Sequence, residues 1–360
     1  MKKPLRVGIA GAGSISLGTA AFLSKNGFTP TIWSPSGKGT KGLERGIIVK
    51  GVLDFKFDCK IAKSSKDLID NNDIIIIAIP GYGHKVVMDE ISLYIKQHQH
   101  IIISSHLSLG AIYLNKLLHK KNIKIPITAW GSTIVTGRRI KENVIKINTI
   151  RESIDLCTVP DYSSNFALDV CHKLFGKRFK TRDGLLAISL SNLNPQNHLG
   201  IALGNITRME HGEVWSQGQN VTPKIGSLLE KLDLERLMIA KELGVKVKTI
   251  FDHFNLSFHI PKASIYEMNQ NMHKRGNGGI GPNTAESRYV IEDIPYGVQF
   301  TILLGRLVNK PAILHESGMA IFSAMYNRNF SKENELLNAL NPKSLNIQNL
   351  QHASRTGMLQ

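Results

Sequence analysis

Leu5-Arg6-Val7-Gly8-Ile9-Ala10-Gly11-Ala12-Gly13-Ser14-Ile15-Ser16 is the stretch on which the fold turns. Residues 5–10 form a short apolar run of strand length, and the glycines after it open a helix whose apolar positions Ile15, Ala20, Ala21 and Leu23 lead to an Asn26-Gly27 stop. Gly11 permits a tight turn, and Gly13 lets a pyrophosphate approach the N–H groups at the helix N-terminus. The third glycine of a G-x-G-x-x-G fingerprint is replaced by Ser16, which is still small enough for the helix to pack closely on the strand. Any tight strand–helix turn can use glycine. This one is the first strand, turn and helix of an alternating region, and on that ground Gly11, Ala12, Gly13, Ser14 and Ile15 are read as binding a dinucleotide.

The alternation continues outward. Strands are expected at 29–33, twice within 46–57, at 74–79 and at 101–103, with helices around Leu68 and over 84–97. Ile74-Ile75-Ile76-Ile77 is β-branched throughout, the signature of a central strand covered on both faces. Beyond about residue 155 helical spacing takes over, at 165–175, 199–209, 225–243, 284–308 and 312–326, and the Gly-rich segment 269–283 reads as a mobile loop. The expected fold class is α/β, an N-terminal Rossmann-like doubly wound parallel sheet followed by an all-α C-terminal domain. The expected divisions are 1–155 for the dinucleotide-binding domain, 156–340 for a helical substrate and catalytic domain, and 341–360 for a polar tail or terminal helix.

The 360 residues suit two domains at roughly 100–200 residues each. With 42% hydrophobic residues the chain can bury a core, which excludes a disordered polycation despite 45 Lys and Arg against 28 Asp and Glu, a net charge of +17. The basic residues fall in short scattered clusters such as Arg138-Arg139-Ile140-Lys141 with no nucleic-acid-binding module around them, so they read as solvated surface and no nucleic acid is expected as partner. A basic cleft would instead gather small phosphates and carboxylates. Cys59, Cys157 and Cys171 make neither a disulfide framework nor a metal site; no metal is expected, and a reducing, cytoplasmic setting is the simplest reading. Pro4, Arg6 and the early glycines break any signal-peptide core, and the longest apolar run, 74–79, is far below the ~20 residues of a membrane span, so no membrane partner is expected.

The end of the second strand chooses the cofactor. An NAD site carries Asp or Glu there for the ribose 2′-hydroxyl, and the segment Trp33-Ser34-Pro35-Ser36-Gly37-Lys38-Gly39-Thr40-Lys41 carries neither. Its hydroxyls and lysines suit a 2′-phosphate. Ser34, Ser36 and Lys38 therefore join the cofactor site, with Lys41 and Arg45 beside them, and NADP(H) is expected over NAD(H); a plain polar loop is the alternative. Pro80 follows the central strand at the end where ligands bind in open α/β sheets and is assigned to the cofactor, whereas His84 and His106 are expected to be exposed loop histidines.

The chemistry concentrates in Ser191-Asn192-Leu193-Asn194-Pro195-Gln196-Asn197-His198-Leu199-Gly200. Asn-Pro sets an extended turn before a helix and puts His198 in the first turn, facing a cleft between the domains. A lone histidine is most often a satisfied core or surface residue; the polar, Pro-restricted setting favours function. The second segment is Arg288-Tyr289-Val290-Ile291-Glu292-Asp293-Ile294-Pro295-Tyr296-Gly297. Asp293 reads as the N-cap of a helix with Pro295 in its first turn, or as the partner of His198, and the two roles are compatible. In the second role it holds one imidazole nitrogen so that the other can donate a proton when hydride reaches a C=N or C=O carbon.

SNLNPQNHLGIALGNITRMEHGE (191–213) and ESRYVIEDIPYG (286–297) resemble the two signature regions of the octopine/nopaline (opine) dehydrogenases, and the GAG turn, IPGYGH at 79–84 and LDLERLMIAKELGV at 232–245 follow in the same order. The resemblance spans residues 5–330 and is nearest to the short bacterial octopine synthase type. It implies NAD(P)H-dependent reductive condensation of an amino acid's α-amine with a 2-oxo acid, commonly pyruvate, to an N-(carboxyalkyl) amino acid. It implies His198 and Asp293 as the acid/base dyad, Arg288 as a carboxylate-binding arginine, and Asn194 as a residue positioning substrate or the nicotinamide amide. Arg138 matches a substrate-site arginine, although the acid that precedes it in the family is missing from 130–138, and Leu199 follows the motif histidine where the family often has Pro. The implied partners are small molecules, an amino acid and a 2-oxo acid, with a homodimer left open. Two readings stand beside this one. A two-domain reductase of the ketopantoate or glycerol-3-phosphate type would use a Lys as acid/base and leave the His198 and Asp293 motifs unexplained. An NADP(H)-binding sensor would have lost turnover.

Overall fold

The computed structural model describes residues 5–359; the start with its Lys2-Lys3-Pro4 and the final Gln360 lie outside the described residues. The chain forms two compact units, Met1–Ser189 with Gln348–Gln360, and Leu190–Ile347.

Among the described residues of the first unit twelve strands build two sheets: β1 Val7–Ala10, β2 Thr31–Trp33, β3 Ile47–Gly51, β4 Phe55–Phe57, β5 Lys60–Ile61, β6 Ile74–Ile77, β7 His100–Ile103, β8 Ile127–Trp130, β9 Val135–Lys141, β10 Val144–Ile150, β11 Ile154–Val159 and β12 Phe179–Thr181. The large sheet runs β12-β11-β8-β7-β6-β1-β2-β5. It is parallel except where β11 meets β8. The chain winds one way from β1 to β2 and the other way to β6, so the crevice beyond the ends of β1 and β6 is a topological switch point. As its uninterrupted isoleucines require, β6 is buried along its whole length.

The small sheet, β4-β3-β10-β9, was only half legible in the sequence. In the β9–β10 hairpin Val135, Ile145 and Ile147 point inward while Lys, Arg and Asn alternate on the outer face, so the apolar period is diluted by charge. This sheet packs on the first helix, Ser14–Lys25, where Gly18 leaves the space that Val135 fills; a Cβ on Gly18 would lie 2.6 Å from Val135 Cγ2.

The first unit extends well past the expected boundary at 155–156. β11 and β12 complete the large sheet with the helix Ser164–Phe175 between them, the helix Gly184–Ser191 follows, and of the tail or terminal helix expected at 341–360 the structure shows a helix, Ile347–Thr356. Leu350, Ala353 and Ser354 of that helix are buried; Leu186 N–H donates to Ser354 Oγ (3.0 Å), and Asn115 Nδ2 donates to Gly357 O (3.0 Å).

The second unit is helical, with Asn194–Glu210, Pro223–Glu242, Ile250–Phe258, Ile265–Lys274, Gln299–Leu307 and Ile313–Tyr326 around a core that includes Leu199, Leu229, Leu232, Ile265 and Phe322. The single helix expected over 284–308 is broken into Arg288–Ile291, a π-helical turn Ile294–Val298, and Gln299–Leu307. Pro295 lacks the N–H an α-helix would need there. The segment expected to be a mobile loop begins inside the helix Ile265–Lys274, and its glycines are held by the strand-like stretch opposite: Gln217 N–H donates to Gly279 O (3.1 Å), Gly218 N–H to Gly278 O (2.8 Å) and Gly281 N–H to Trp215 O (3.0 Å). Among the described residues no helix is long and apolar enough to cross a membrane.

Candidate active site

In the first unit the glycine turn has the geometry of a phosphate cradle. Gly11 adopts φ 125°, a conformation that L side chains rarely take, and a Cβ there would lie 2.5 Å from Ala78 O. A Cβ on Gly13 would meet nothing, and the helix starting at Ser14 has neither an acidic residue in its first turn nor a side-chain cap on its N–H groups. An uncapped helix N-terminus beside open space fits an anion such as a dinucleotide pyrophosphate. Ser16, at the position of the missing third glycine, is buried and donates its hydroxyl to Ala78 O at 2.6 Å, so the substitution ties the helix to the residue following β6. Ala12 is buried and Ile15 half-buried beside it.

The loop after β2 folds back onto this turn. Gly39 lies so close that a Cβ would be 2.9 Å from Ala12 Cβ and 3.0 Å from Ser34 Oγ. Ser34 and Ser36 approach each other at 3.4 Å, and Ser36, Lys38 and Lys41 are exposed. Arg45, expected beside a 2′-phosphate, instead pairs with Glu142 at 2.7 Å. The residue that reaches this corner is one the sequence reading passed over. Arg139 on β9 donates from Nη1 to both Ala12 O and Gly39 O, 2.8 Å each, and from its other guanidinium nitrogens to Glu142 O, while its backbone N–H donates to Ser14 Oγ at 2.9 Å. Its neighbour Arg138, the assigned residue, is exposed on the same strand. The Arg138-Arg139 pair in a strand, one side chain on each face, was the available signal.

Pro80 is the N-cap of the helix Gly81–Ser92. His84 and His106 are not exposed loop residues: both are buried, and desolvation pushes their imidazoles down to about 4 and about 3. His84 Nε2 engages Ile79 O, and Ala111 N–H donates to His106 Nε2, so both brace the turns at the sheet's C-terminal edge.

The second unit joins the two motifs that carry His198 and Asp293. His198 Nδ1 is 2.7 Å from Asp293 Oδ2, with side-chain exposures of 13% and 2%. The helix starts at Asn194, so His198 is its fifth residue, not in its first turn. Asp293 precedes the π-helical turn, as a cap would, but its carboxylate caps no N–H in that turn and faces His198 instead. Of the two compatible readings, the structure shows the pairing with His198, while Asp293 holds the cap position without a side-chain cap bond.

Three contacts hold the pair in place. Pro195 presses on Gly297, where a Cβ would lie 2.2 Å from Pro195 Cγ, so the Asn-Pro turn and the Pro-Tyr-Gly turn meet with no side chain between them. Gln196 Nε2 donates to the buried Asp233 Oδ1 (2.9 Å), which also accepts from Arg236 and receives Ile250 N–H at its other oxygen. Tyr289 lies flat against the His198 ring, centroids 3.5 Å apart and planes 10° from parallel. Arg288 is half exposed and its Nε pairs with the buried Glu292 at 3.2 Å. Asn194 is exposed at the helix start, its N–H donating to Asn192 Oδ1. Thus the structure gathers His198, Asp293 and Tyr289, sets Arg288 one residue from Tyr289, leaves the Asn194 side chain in solvent, and carries Arg138 on the other unit. Among the described residues no cluster of His, Cys, Asp and Glu could hold a metal ion.

Residues 181–326 match the family described as NAD/NADP octopine/nopaline dehydrogenase, alpha-helical domain. The opine dehydrogenase of Arthrobacter sp. (strain 1C) is 26% identical over 351 residues, 96% of this chain and 97% of that protein. Octopine dehydrogenase solved with NADH and L-arginine has TM-score 0.79 at 14% identity over 99% of both chains, and NADP+-bound yersinopine dehydrogenase has TM-score 0.69 at 12% identity over 99% of both. At such identities these two likenesses speak for the fold. Residues 181–326, which hold the His198 and Asp293 motifs, thus match the alpha-helical domain of the octopine/nopaline dehydrogenases, and the chain is similar to an opine dehydrogenase over nearly its whole length.

Proposed function

We propose that the protein condenses the α-amine of an amino acid with a 2-oxo acid such as pyruvate and reduces the resulting C=N, releasing an N-(carboxyalkyl) amino acid. The observation that carries this reading is the buried Asp293 carboxylate on His198 Nδ1. Held there, the ring keeps one tautomer and presents Nε2 for proton transfer. Condensation requires a proton for the departing hydroxyl, and protonated His198 supplies it from Nε2; in the oxidative direction the same nitrogen takes a proton from the secondary amine. The Asp293 carboxylate steadies the imidazolium from Nδ1. A bound nicotinamide supplies the hydride. Arg288 receives a substrate carboxylate, exchanging part of its pairing with Glu292 for it. Asn194 and Arg138 complete the substrate set as the family resemblance assigns them.

NADPH is the preferred cofactor in this reading, because Ser34, Ser36, Lys38 and Lys41 follow β2 with no carboxylate among them. Three free cysteines suit a reducing, cytoplasmic setting. The test is to mix the protein with NADPH or NADH, a panel of 2-oxo acids and each amino acid, and to follow loss of reduced cofactor with the mass of the product. A secondary-amine product from one pair is the expected result. Cofactor binding with no consumption for any pair overturns the enzyme reading in favour of a sensor, and faster turnover with NADH overturns the cofactor preference.

A further inference from the structure

We propose that Tyr289 is a positioning residue, its ring fixing the plane of the His198 imidazole and tying that plane to the Gly-rich segment at 276–282. The inference rests on the reading of His198 as the proton donor. The ring moves only through its two side-chain torsions, and one hydrogen bond at Nδ1 restrains them without locking them, because small coupled changes shift Nε2 while the contact persists. A flat partner removes that freedom, and Tyr289 provides one, with centroids 3.5 Å apart and planes 10° from parallel.

Tyr289 is itself held from three sides. Its N–H donates to Ser287 Oγ at 3.3 Å, it belongs to the short helix Arg288–Ile291 that leads to Asp293, and its hydroxyl donates to Gln217 Oε1. Gln217 N–H in turn donates to Gly279 O, and Gly218 N–H to Gly278 O. The segment is close-packed at two of its glycines: a Cβ on Gly278 would lie 2.9 Å from His273 Cα, and one on Gly281 would lie 2.2 Å from Trp215 Cζ2, whereas Gly276 and Gly279 face open space. Trp215 Nε1 donates to Pro282 O at 2.9 Å. The route from the glycines to Nε2 is therefore continuous: backbone pairing, Gln217, the Tyr289 hydroxyl, the Tyr289 ring, the imidazole. Burial pushes the Tyr289 phenol up to about 12, so it remains a hydrogen-bond donor, and with its proton directed at Gln217 it is not the reaction's acid.

The test uses the full chain and four variants in the reductive assay, with cofactor titration and thermal melting as controls for folding. His198→Ala abolishing turnover establishes the underlying reading; if it turns over normally, that reading falls and this inference with it. Tyr289→Met, which fills the volume without a flat face, is expected to lower kcat about 10- to 100-fold while the KM for cofactor changes less than about threefold, the size expected when a reacting group loses its alignment. Tyr289→Phe, which keeps the stack, is expected to recover most of kcat, and Gln217→Ala to lose several-fold. Wild-type kcat in Tyr289→Met, with His198→Ala inactive, overturns the positioning role alone. So does a Phe variant as slow as the Met variant, because the hydroxyl and not the ring plane would then be what counts.

Discussion

At the scale of single residues, the His198–Asp293 pair shows how one carboxylate can serve two local logics and be claimed by one. Asp before Ile-Pro is a frequent helix start, and its side chain would ordinarily accept from the N–H groups of the first turn. Here it caps none of them in the π-helical turn and lies 2.7 Å from His198 Nδ1 with 2% exposure. Asp293→Asn should leave the fold and the cofactor affinity in place and reduce kcat by roughly 10²–10⁴, because an amide can present its N–H to Nδ1 and select the wrong tautomer. Steady-state kinetics alongside circular dichroism checks this, and a variant within about threefold of wild type removes Asp293 from the chemistry. Arg139 invites a second residue-scale prediction. Its guanidinium binds carbonyls of both the glycine turn and the loop after β2, so Arg139→Ala should loosen the corner where the adenosine end of the cofactor is expected and raise the cofactor KM about tenfold, in line with losing charged hydrogen bonds. Arg138→Ala, altering the exposed neighbour, should act on the amino-acid KM instead; the opposite pattern would exchange the two roles.

At the scale of elements, the dyad depends on two turns brought to van der Waals contact. The Asn-Pro start of one helix and the Pro-Tyr-Gly turn before another touch through Pro195 and Gly297, and a Cβ on Gly297 would sit 2.2 Å from Pro195 Cγ, far inside any tolerable separation. Gly297→Ala should therefore push the turns apart, destabilising by about 1–3 kcal/mol as overpacking does and lowering kcat at least tenfold through misalignment of His198 and Asp293. Melting temperature and kcat measured together decide it: unchanged kcat in a folded variant means the spacing is set elsewhere. The same contact explains what was legible beforehand. Ile74-Ile75-Ile76-Ile77, the Gly11 turn and the His198 and Asp293 motifs could be read because each owes its form to local chemistry: continuous burial, a positive φ, a Pro-restricted start. The β9–β10 hairpin, the membership of residues 156–189 and the return of the Ile347–Thr356 helix could not, because they are defined by partners distant in sequence. Ser354, for instance, looks like tail polarity until Leu186 N–H is found on its hydroxyl. His84 and His106 were misplaced for the same reason, since a strand end gives no sign of what covers it.

At the scale of the whole molecule, the buried histidines divide the two units in their response to acid. His84, His100 and His106 all lie in the first unit, essentially without exposure, and desolvation holds their imidazoles down to about 4, about 3 and about 3. In the unfolded chain they titrate near 6.5, as ordinary imidazoles do. Between about pH 6.5 and about pH 4 the unfolded state thus binds protons that the folded first unit refuses, and stability falls as pH falls through that window. The contribution is complete above about pH 6.5 and is lost toward the folded values, with the net charge of +17 adding self-repulsion as carboxylates protonate. In the second unit it is a carboxyl, Glu235, that is shifted. His315 Nδ1 faces Glu235 at 2.8 Å, and the hydrogen bonds from His315 and from Leu314 N–H hold that carboxyl below its usual range, so its contribution persists above about pH 4.5. Lowering the pH from 7.5 to 5 should therefore unfasten the Rossmann-like unit first. Hydrogen exchange resolved along the chain should show protection falling in β6, β7 and the helix Gly81–Ser92 while the helices Pro223–Glu242 and Ile313–Tyr326 keep theirs, and dinucleotide affinity should fall in step. Uniform loss of protection across both units, or none above pH 5, would show that these imidazoles do not govern the acid limb.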